Sequence, residues 1–319
     1  MESKLHNEIL FYSTYARPDE NLARCYYVHE QACDSVIALE NVNARGYYHC
    51  PFTYDPPLEY VITAMREIAR FHGKGYVMKE LQREKFFNIA NQLRETKFPI
   101  DMVQERKNFL KTIVMRTVNY LRSNNYEKEF CDKMAALISN TYGNMTKILE
   151  TVEPLSTTCH GDYVLTNLLF KKEDDGQLRG IPIDFAEWKY ARPVVDLSTF
   201  LCVSCSTEMR RYKFFEFIRV YHNELKKYLS DAGIWNAEKY SYDVFLDDFK
   251  RGAFFGLIIA SYFLPVLWGY SKLDIEMLAT KGYMESAKEC SQAGGDKMSK
   301  IITDVLLHLR DLGCLENVS

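Results

Sequence analysis

The stretch from Cys159 to Phe185 constrains the fold of this chain more than any other. It contains two short apolar runs, NLLFKK and GIPIDF, with the polar segment EDDGQLR between them. The Asp175-Gly176 step in that segment is typical of a tight turn between antiparallel strands. We therefore expect a β-hairpin here, in a chain whose other long segments have helical periodicity.

This hairpin determines which polar side chains come together. Asn167 opens the first predicted strand and Asp184 closes the second, so an antiparallel return brings both to the same end. Asp162 lies in the loop before the hairpin and can join them. The sequence thus predicts that a carboxylate, an amide and a second carboxylate converge.

Phosphoryl transfer to a hydroxyl requires such a set. A carboxylate orients the acceptor and takes its proton, and oxygen ligands hold the magnesium ion that bridges the nucleotide phosphates. The interval from Asp162 to Asn167 is that of the protein-kinase catalytic loop, with Gly161 where protein kinases have arginine. The pair Asp184-Phe185 matches the start of the kinase metal-binding segment. We predict Asp162 as the catalytic base and Asn167 and Asp184 as metal ligands.

Each of these residues also has a plainer interpretation. Asp162 could cap a turn, Asn167 could satisfy backbone groups where a strand starts, and Asp184 could simply end a strand. A metal hydrolase that uses His160, Asp162 and Asp184 is a further alternative, but the sequence offers no second cluster to complete the metal's coordination. We expect His160 to be structural, because an imidazole beside the loop can fix its backbone.

Most of the remaining sequence is predicted to be helical, with one more hairpin. Apolar periodicity predicts a helix over residues 3–16, and the runs CYYVH and SVIALE predict antiparallel strands after it. Asp196 stands where it could cap the helix that begins with VDLSTFL. Other helical faces are carried by Leu58 to His72, by Leu110 to Leu121, by a single helix from Phe130 to Ile148, and by MRRYKFFEFIRVYHNELKKYL.

Charge and cysteine content limit the partners and the compartment. The formal net charge is -3, which gives no general attraction to nucleic acid or anionic membranes. The nine cysteines are irregularly spaced and no secretory signal opens the sequence, so we expect free thiols and a cytoplasmic location. The Cys202-x-x-Cys205 pair has no partner pair and is expected to be two buried thiols.

One apolar run raises the question of a membrane span. Residues 252–271 carry no charge and are about long enough to cross a bilayer. The run contains Pro265 and the polar Ser261, and a helix buried on all sides in a large domain has the same composition. No membrane span is therefore expected.

The motifs CHGDYVLTNLLF, IPIDFAEW and RPVVDLSTFL resemble those of the ecdysteroid kinase-like family, also called the CHK kinase-like family. This family is related to choline kinases and aminoglycoside phosphotransferases. The segments HNEILFYSTYARP, VIALENV and IARFHGKGY are similar to further parts of it, so the resemblance extends from about residue 3 to beyond residue 270.

The resemblance implies an α+β, protein-kinase-like fold. A reduced N-lobe of one helix and a β-hairpin, with the hinge, would occupy residues 1–43. A large, mainly helical C-lobe with the catalytic-loop hairpin would occupy residues 44–319. The family's site residues, carried over to this sequence, make the backbone of Glu40, Asn41 and Val42 the adenine contact. They make Glu8 the partner of a phosphate-binding lysine and give His160 and Asp196 supporting roles.

The implied activity is ATP- and magnesium-dependent O-phosphorylation of a small molecule, such as an ecdysteroid or another lipophilic alcohol. Family members carry a phosphate-covering loop and a strand lysine before the helix that holds Glu8, whereas here that helix begins almost at Met1. The resemblance therefore predicts an N-terminally truncated member whose activity is in doubt. The alternatives are a non-catalytic pseudokinase that binds a nucleotide or another ligand, and an active enzyme in which another segment replaces the loop.

Overall fold

The fold is α+β, as predicted, with small antiparallel sheets set among helices. The computed structural model describes residues 2–17, 20–31, 34–272, 275–316 and 318. In these residues, the order of parts is the one that the resemblance implies. A helix and a hairpin come first, and a helical body that contains a second hairpin follows. The division at residues 43 and 44 stays a prediction.

The N-terminal part is one helix and one hairpin. Helix α1 covers Glu2–Leu10 and continues as a π-helical turn over Phe11–Tyr15. Strands β1 (Cys25–His29) and β2 (Val36–Leu39) pair antiparallel, which confirms the predicted hairpin. A short 3-10 helix over Val42–Arg45 then leads into the helical body.

The first half of the body is helical and confirms two of the predicted helical faces. The prediction of a single helix from Phe130 to Ile148 is wrong, because the helix is interrupted at Asn140. There the Thr141 hydroxyl and the Asn144 amide donate to the carbonyls of Ile138 and Leu137, which otherwise accept helical N–H groups. The helices are α2 (Leu58–Leu81), α3 (Arg83–Ala90), α4 (Gln104–Ser123), α5 (Lys128–Ser139) and α6 (Thr141–Leu149).

The predicted hairpin that follows Asp162 is confirmed. Strands β5 (Leu168–Lys172) and β6 (Leu178–Pro182) pair antiparallel, with Leu168 opposite Pro182. The tight turn between them has Gly176 at a φ of +79°, a left-handed conformation that favours glycine. Three short strands lie on either side: β3 (Tyr48–His49) extends this sheet by pairing with β5, and β4 (Thr157–Cys159) pairs with β7 (Lys189–Ala191).

Helices complete the body, and one prediction about them is wrong. Asp196 is not the N-cap residue: Pro193 occupies that position in α7 (Val194–Ser204), without a side-chain capping bond, and Asp196 is the third residue of the helix, with its side chain turned inward. The described cysteines are all free thiols, and burial raises the pKa of Cys202 to about 11 and that of Cys205 to about 12. The later helices are α8 (Thr207–Asp231), α9 (Tyr242–Gly252), α10 (Phe254–Leu267), α11 (Ile275–Gln292, bent at Gly282) and α12 (Gly295–Asp311).

The central part of the apolar run of residues 252–271 forms α10, most of which is buried, and α10 packs against α7. The two helices approach so closely at Gly256 that a Cβ there would lie 2.4 Å from the Ser198 carbonyl oxygen. Among the described residues, no helix is by itself long and apolar enough to cross a membrane. The pair formed by α9 and α10, bent by 56°, meets the length and composition criteria when taken together.

Candidate active site

The hairpin end brings the predicted catalytic and metal-binding residues together. The Ile183 N–H donates to the Asn167 carbonyl oxygen at 3.0 Å, which sets Asp184 immediately beside Asn167. The Asn167 side chain reaches back to the loop before the hairpin. Its Nδ2 donates to the backbone oxygen of Asp162 at 2.9 Å and to Asp162 Oδ2 at 3.1 Å. The amide thus ties the Asp162 carboxylate to the start of β5.

Asp184 differs from these two residues in its exposure. Its φ of +64° is left-handed, a conformation that an aspartate adopts at some cost, and its side chain is exposed. Its Oδ1 accepts only a long hydrogen bond, 3.4 Å, from the Ala186 N–H. The backbone turn therefore directs this carboxylate away from the core and toward solvent.

An unpredicted lysine lies against Asp162. Lys97 Nζ is 2.6 Å from Asp162 Oδ1, and both side chains are mostly buried. Burial by itself would raise the pKa of Asp162, but the Lys97 ammonium, together with His160 and the Asn167 hydrogen bond, outweighs it and lowers that pKa below its ordinary value. The carboxylate is therefore held ionised, the state that a proton acceptor needs.

The loop between α3 and α4 positions Lys97. The Glu95 carboxylate accepts from the backbone N–H groups of Lys97 and Phe98, both at 2.9 Å. Arg106 donates to the Lys97 carbonyl at 2.9 Å, and Lys189 Nζ donates to Glu95 at 2.8 Å. Lys97 cannot be found from the sequence alone, because it lies in a loop that belongs to no helical or strand pattern. The one local signal is its position between Thr96 and the pair Phe98-Pro99.

Asp196 binds the backbone of the loop that carries His160, Gly161 and Asp162, here called the catalytic loop. Its Oδ2 accepts from the His160 N–H at 2.7 Å, and its Oδ1 accepts from the Gly161 N–H at 2.8 Å. His72, on α2, lies 3.0 Å from the same carboxylate through Nε2, and its Nδ1 is 2.9 Å from the Tyr221 hydroxyl. All of these groups are buried, so Asp196 satisfies two N–H groups that would otherwise lack partners.

His160 has both ring nitrogens engaged. Nε2 lies 2.9 Å from the Ile183 carbonyl oxygen and acts as its donor, and Nδ1 accepts from the Asp162 N–H at 3.3 Å. This pattern links the catalytic loop to the strand that precedes Asp184. It also leaves no free lone pair on the ring for a metal, which weighs against the metal-hydrolase interpretation.

Aromatic rings connect α1 to the catalytic loop. Phe185 stacks on Phe11 with ring centroids 3.6 Å apart and on Phe71 at 5.7 Å, and the His160 ring lies 5.0 Å from it. This packing brings Glu8 near Asp184. Burial first, and Asp184 second, raise the pKa of Glu8, while the Phe185 N–H opposes them. Among the described side chains, no lysine or arginine forms an ion pair with Glu8.

Gly161 occupies a position where only glycine fits. Its φ is +81°, and a Cβ there would lie 2.0 Å from the Glu187 carbonyl oxygen. We expect Gly161→Ala to lower the free energy of unfolding by about 2–4 kcal/mol, the sum of backbone strain and a clash with rigid backbone. Urea unfolding measures the change.

Gly176→Ala is the matched control, because Gly176 has a φ of +79° but no atom within 4 Å of the point where a Cβ would lie. It should lose only the strain contribution, about 1 kcal/mol. Equal losses in the two variants would show that the close approach at Gly161 costs nothing.

The predicted hinge residues connect the first hairpin to the body. Glu40 Oε2 accepts from the Arg24 N–H at 3.1 Å and from the Arg45 guanidinium at 3.2 Å. Asn41 caps the 3-10 helix, because its Oδ1 accepts from the Asn43 N–H. Val42 is buried in a small apolar cluster that joins the hinge to the β5–β6 hairpin. The other members of this cluster are Ala23, Tyr47, Leu169 and Ile181.

The donor set at the hairpin end suits a magnesium ion. The Nδ2 of Asn167 donates to Asp162, so its Oδ1 is the atom that could bind a cation. Asp184 offers an exposed carboxylate. Magnesium prefers such oxygen ligands. A second group, His72, Cys159 and Asp196, has potential ligand atoms within 4.8 Å of one another, but it is fully buried and hydrogen bonded, so we assign it a structural role.

The sequence profile described as the ecdysteroid kinase-like family matches residues 7–234, well over half of the chain. The chain belongs to the ecdysteroid kinase-like family. This confirms the family resemblance that the motifs indicate. The matched region contains the end of α1, the predicted hinge and the whole β5–β6 hairpin, so the geometry described above is that of an ecdysteroid kinase-like protein. No curated protein sequence matches the chain significantly.

Solved structures similar to this ecdysteroid kinase-like protein include aminoglycoside phosphotransferases. One is the gentamicin complex of APH(2'')-IIa, with 14% identity, a TM-score of 0.44, and coverage of 93% of this chain and 83% of that one. Another is ADP-bound APH(2'')-Ib, with 14% identity, a TM-score of 0.36, and coverage of 91% and 83%. Similarity at this level carries no argument about the function of this chain.

Proposed function

We propose that this ecdysteroid kinase-like protein transfers the γ-phosphoryl group of ATP to a hydroxyl of a small lipophilic molecule, such as an ecdysteroid, in the cytoplasm. The observation that carries the proposal is the hydrogen-bonded junction of Asp162 and Asn167 at the hairpin end that also presents Asp184. Family membership gives the reaction class, and this junction supplies the groups that the class requires.

Asp162 is the base in this proposal. Its carboxylate accepts a hydrogen bond from the acceptor hydroxyl and then takes the hydroxyl proton. Asn167 fixes the carboxylate from one side through Oδ2. His160 and Asp196 hold the loop backbone, so the base keeps its orientation while the acceptor binds.

Asn167 Oδ1 and the Asp184 carboxylate would hold the magnesium ion. When bound, such an ion neutralises charge on the nucleotide phosphates. The exposure of Asp184 supports this role, because its carboxylate has no strong protein hydrogen bond among the described residues. Glu8 lies close enough to Asp184 to interact with it electrostatically, so carboxyl groups are concentrated at this end of the cleft.

The nucleotide base would lie between the two hairpins. The predicted hinge residues Glu40, Asn41 and Val42 follow the first hairpin, and the buried cluster of Val42, Leu169 and Ile181 packs this segment against the second hairpin. The phosphates would then extend along the β5–β6 hairpin toward Asn167 and Asp184.

An apolar acceptor is supported by the surroundings of the base. Lys97 Nζ lies 5.2 Å from the centroid of the Phe263 ring, and Phe98, next in sequence, is buried against Phe255. The Tyr262 hydroxyl is also near Lys97, which opposes the effect of burial on the pKa of this tyrosine. Aromatic side chains therefore lie around Lys97, which is paired with Asp162.

Binding of ATP tests the nucleotide part of the proposal. We expect ATP with magnesium to raise the melting temperature, and EDTA to abolish that rise; at 100 times Kd the stabilisation is about 2.7 kcal/mol. Asp184→Ala should remove the magnesium-dependent part, whereas Asp174→Ala, at the exposed tip of the same hairpin, should not. Stabilisation by ATP that is indifferent to magnesium and to Asp184 would contradict the assignment.

A phosphate-transfer assay against a panel of sterols and other lipophilic alcohols tests the reaction itself. Formation of ADP together with a phosphorylated alcohol is the expected result. Magnesium-dependent stabilisation by ATP without any product would instead favour the non-catalytic nucleotide-binding protein.

A further inference from the structure

The Lys97 ammonium lies directly beside the proposed reaction centre. It is 2.6 Å from Asp162 Oδ1, while Asn167 binds the other oxygen of the same carboxylate. Only 15% of the Lys97 side chain is exposed. A lysine can donate three hydrogen bonds, and the structure gives one of them to Asp162.

Lys97 is held in place at both ends. Glu95 binds its backbone N–H, Arg106 binds its carbonyl, and the Phe263 ring lies against its ammonium. Lys189 in turn binds Glu95 and connects this loop to β7. These contacts fix the loop and with it the position of the Lys97 ammonium. Electrostatic stabilisation of a transition state requires a charge that is held in a fixed position.

We propose that Lys97 contacts the transferring phosphoryl group and stabilises the charge on its oxygens during transfer. This inference rests on the proposed function. An acceptor hydroxyl bonded to Asp162 lies about 3 Å from the carboxylate. The phosphorus atom that it attacks is then close to the same carboxylate, within reach of a neighbouring ammonium. The lysine sits on an element of the helical body, distinct from the hairpin that carries the metal ligands.

The transfer replaces one P–O bond with another. The acceptor oxygen forms a bond to the γ-phosphorus of ATP, and the bond between that phosphorus and the bridging oxygen breaks. The electron pair of the broken bond leaves with ADP, and the acceptor proton moves to Asp162. Lys97 keeps its protons and interacts with the equatorial oxygens, where negative charge is spread in the transition state.

Lys97→Met is the first test, because methionine keeps the apolar stem and removes the charge. We expect kcat for phosphate transfer to fall about 100-fold, the usual effect of losing one transition-state donor, with the KM for the acceptor nearly unchanged. Lys107→Met is the control. Lys107 is on α4 and its ammonium lies over the Tyr142 ring, so the loss of its charge should leave kcat unchanged. An unchanged or increased kcat in Lys97→Met would overturn the inference.

A second test separates phosphate stabilisation from simple positioning of Asp162. In the Asp162→Asn background the base is already lost, so a lysine that only orients the carboxylate would have nothing more to contribute. We expect Lys97→Met to lower the residual rate about tenfold further in that background. Identical residual rates with and without Lys97 would reduce Lys97 to a positioning residue and refute the proposal.

A binding measurement distinguishes failure of this inference from failure of the proposed function. The probe is inorganic phosphate added to the protein saturated with ADP and magnesium, followed by thermal melting. We expect phosphate to raise the melting temperature of the wild type and of Lys107→Met, but not of Lys97→Met. If the wild type transfers no phosphate, the proposed function fails, and this comparison decides the role of Lys97 alone. A phosphate effect independent of Lys97 would overturn the inference.

Discussion

Replacing Asp162 with asparagine is expected to lower kcat for phosphate transfer by about 10²- to 10⁴-fold, the usual contribution of a general base. Asparagine keeps the size of the side chain and can still accept a hydrogen bond from Lys97, but its amide cannot take a proton. Because the loop is held by Asp196 and not by Asp162, the fold should survive. Steady-state kinetics with the best alcohol from the acceptor panel measures the effect.

Asp175→Asn provides the matched control. Asp175 lies at the exposed tip of the same hairpin, where its carboxylate accepts from the Gln177 N–H. The same chemical change there should leave kcat within about a factor of two of the wild type, as expected for a surface site remote from the reaction. If Asp162→Asn retained the full rate, the proton acceptor would have to be sought elsewhere.

Asp196→Ala is expected to lower the free energy of unfolding by about 3–5 kcal/mol, the usual effect of removing one partner from a buried charged network. The change leaves the N–H groups of His160 and Gly161 without acceptors, and it leaves His72 facing a cavity. Each buried polar group without a partner adds a desolvation cost. Urea unfolding of the two proteins measures the difference, and kcat should fall as the loop loses its support.

Asp243→Ala controls for the general effect of an acid near the start of a helix. Asp243 lies in the first turn of α9, as Asp196 does in α7, but it is exposed. It should cost no more than about 1 kcal/mol, the upper end of an exposed helix-dipole contribution. Similar losses for the two variants would show that the hydrogen bonds of Asp196 to the loop contribute little.

The parts of the fold that depend on local chemistry could be predicted from the sequence. The Asp175-Gly176 turn and the two apolar runs beside it predict a hairpin, because a left-handed turn residue and short apolar strands are readable within a few residues. The same hairpin then places Asn167 beside Asp184 without any knowledge of the rest of the structure. Helices α2 and α4 were predictable in the same way from their apolar periodicity.

The contacts that complete the candidate site are not local, and sequence patterns do not contain them. Lys97 meets Asp162 from a loop 65 residues earlier in the chain. His72, which has the position of an ordinary core residue on the apolar face of α2, binds Asp196 124 residues away. Asp196 looks like a helix cap in sequence, because only the folded chain shows that its side chain faces the catalytic loop.

The attachment of α1 determines which part of the proposed nucleotide cleft could move. The Asn7 side chain donates to the carbonyl oxygens of Arg94 and Trp188 and accepts from the Arg94 N–H. Phe11, just after α1, stacks on Phe185. These contacts fasten α1 to the helical body, although it precedes the hairpin in the chain. The hairpin formed by β1 and β2 is tied to the same helix, because His6 Nδ1 lies 2.6 Å from Glu30 Oε1 at the end of β1. Rocking of that hairpin would therefore strain the contact between His6 and Glu30, while the bonds of Asn7 to the helical body hold Glu8 near Asp184. If the proposed function holds, opening of the cleft would change the contact with the adenine ring more than the arrangement of the acidic groups.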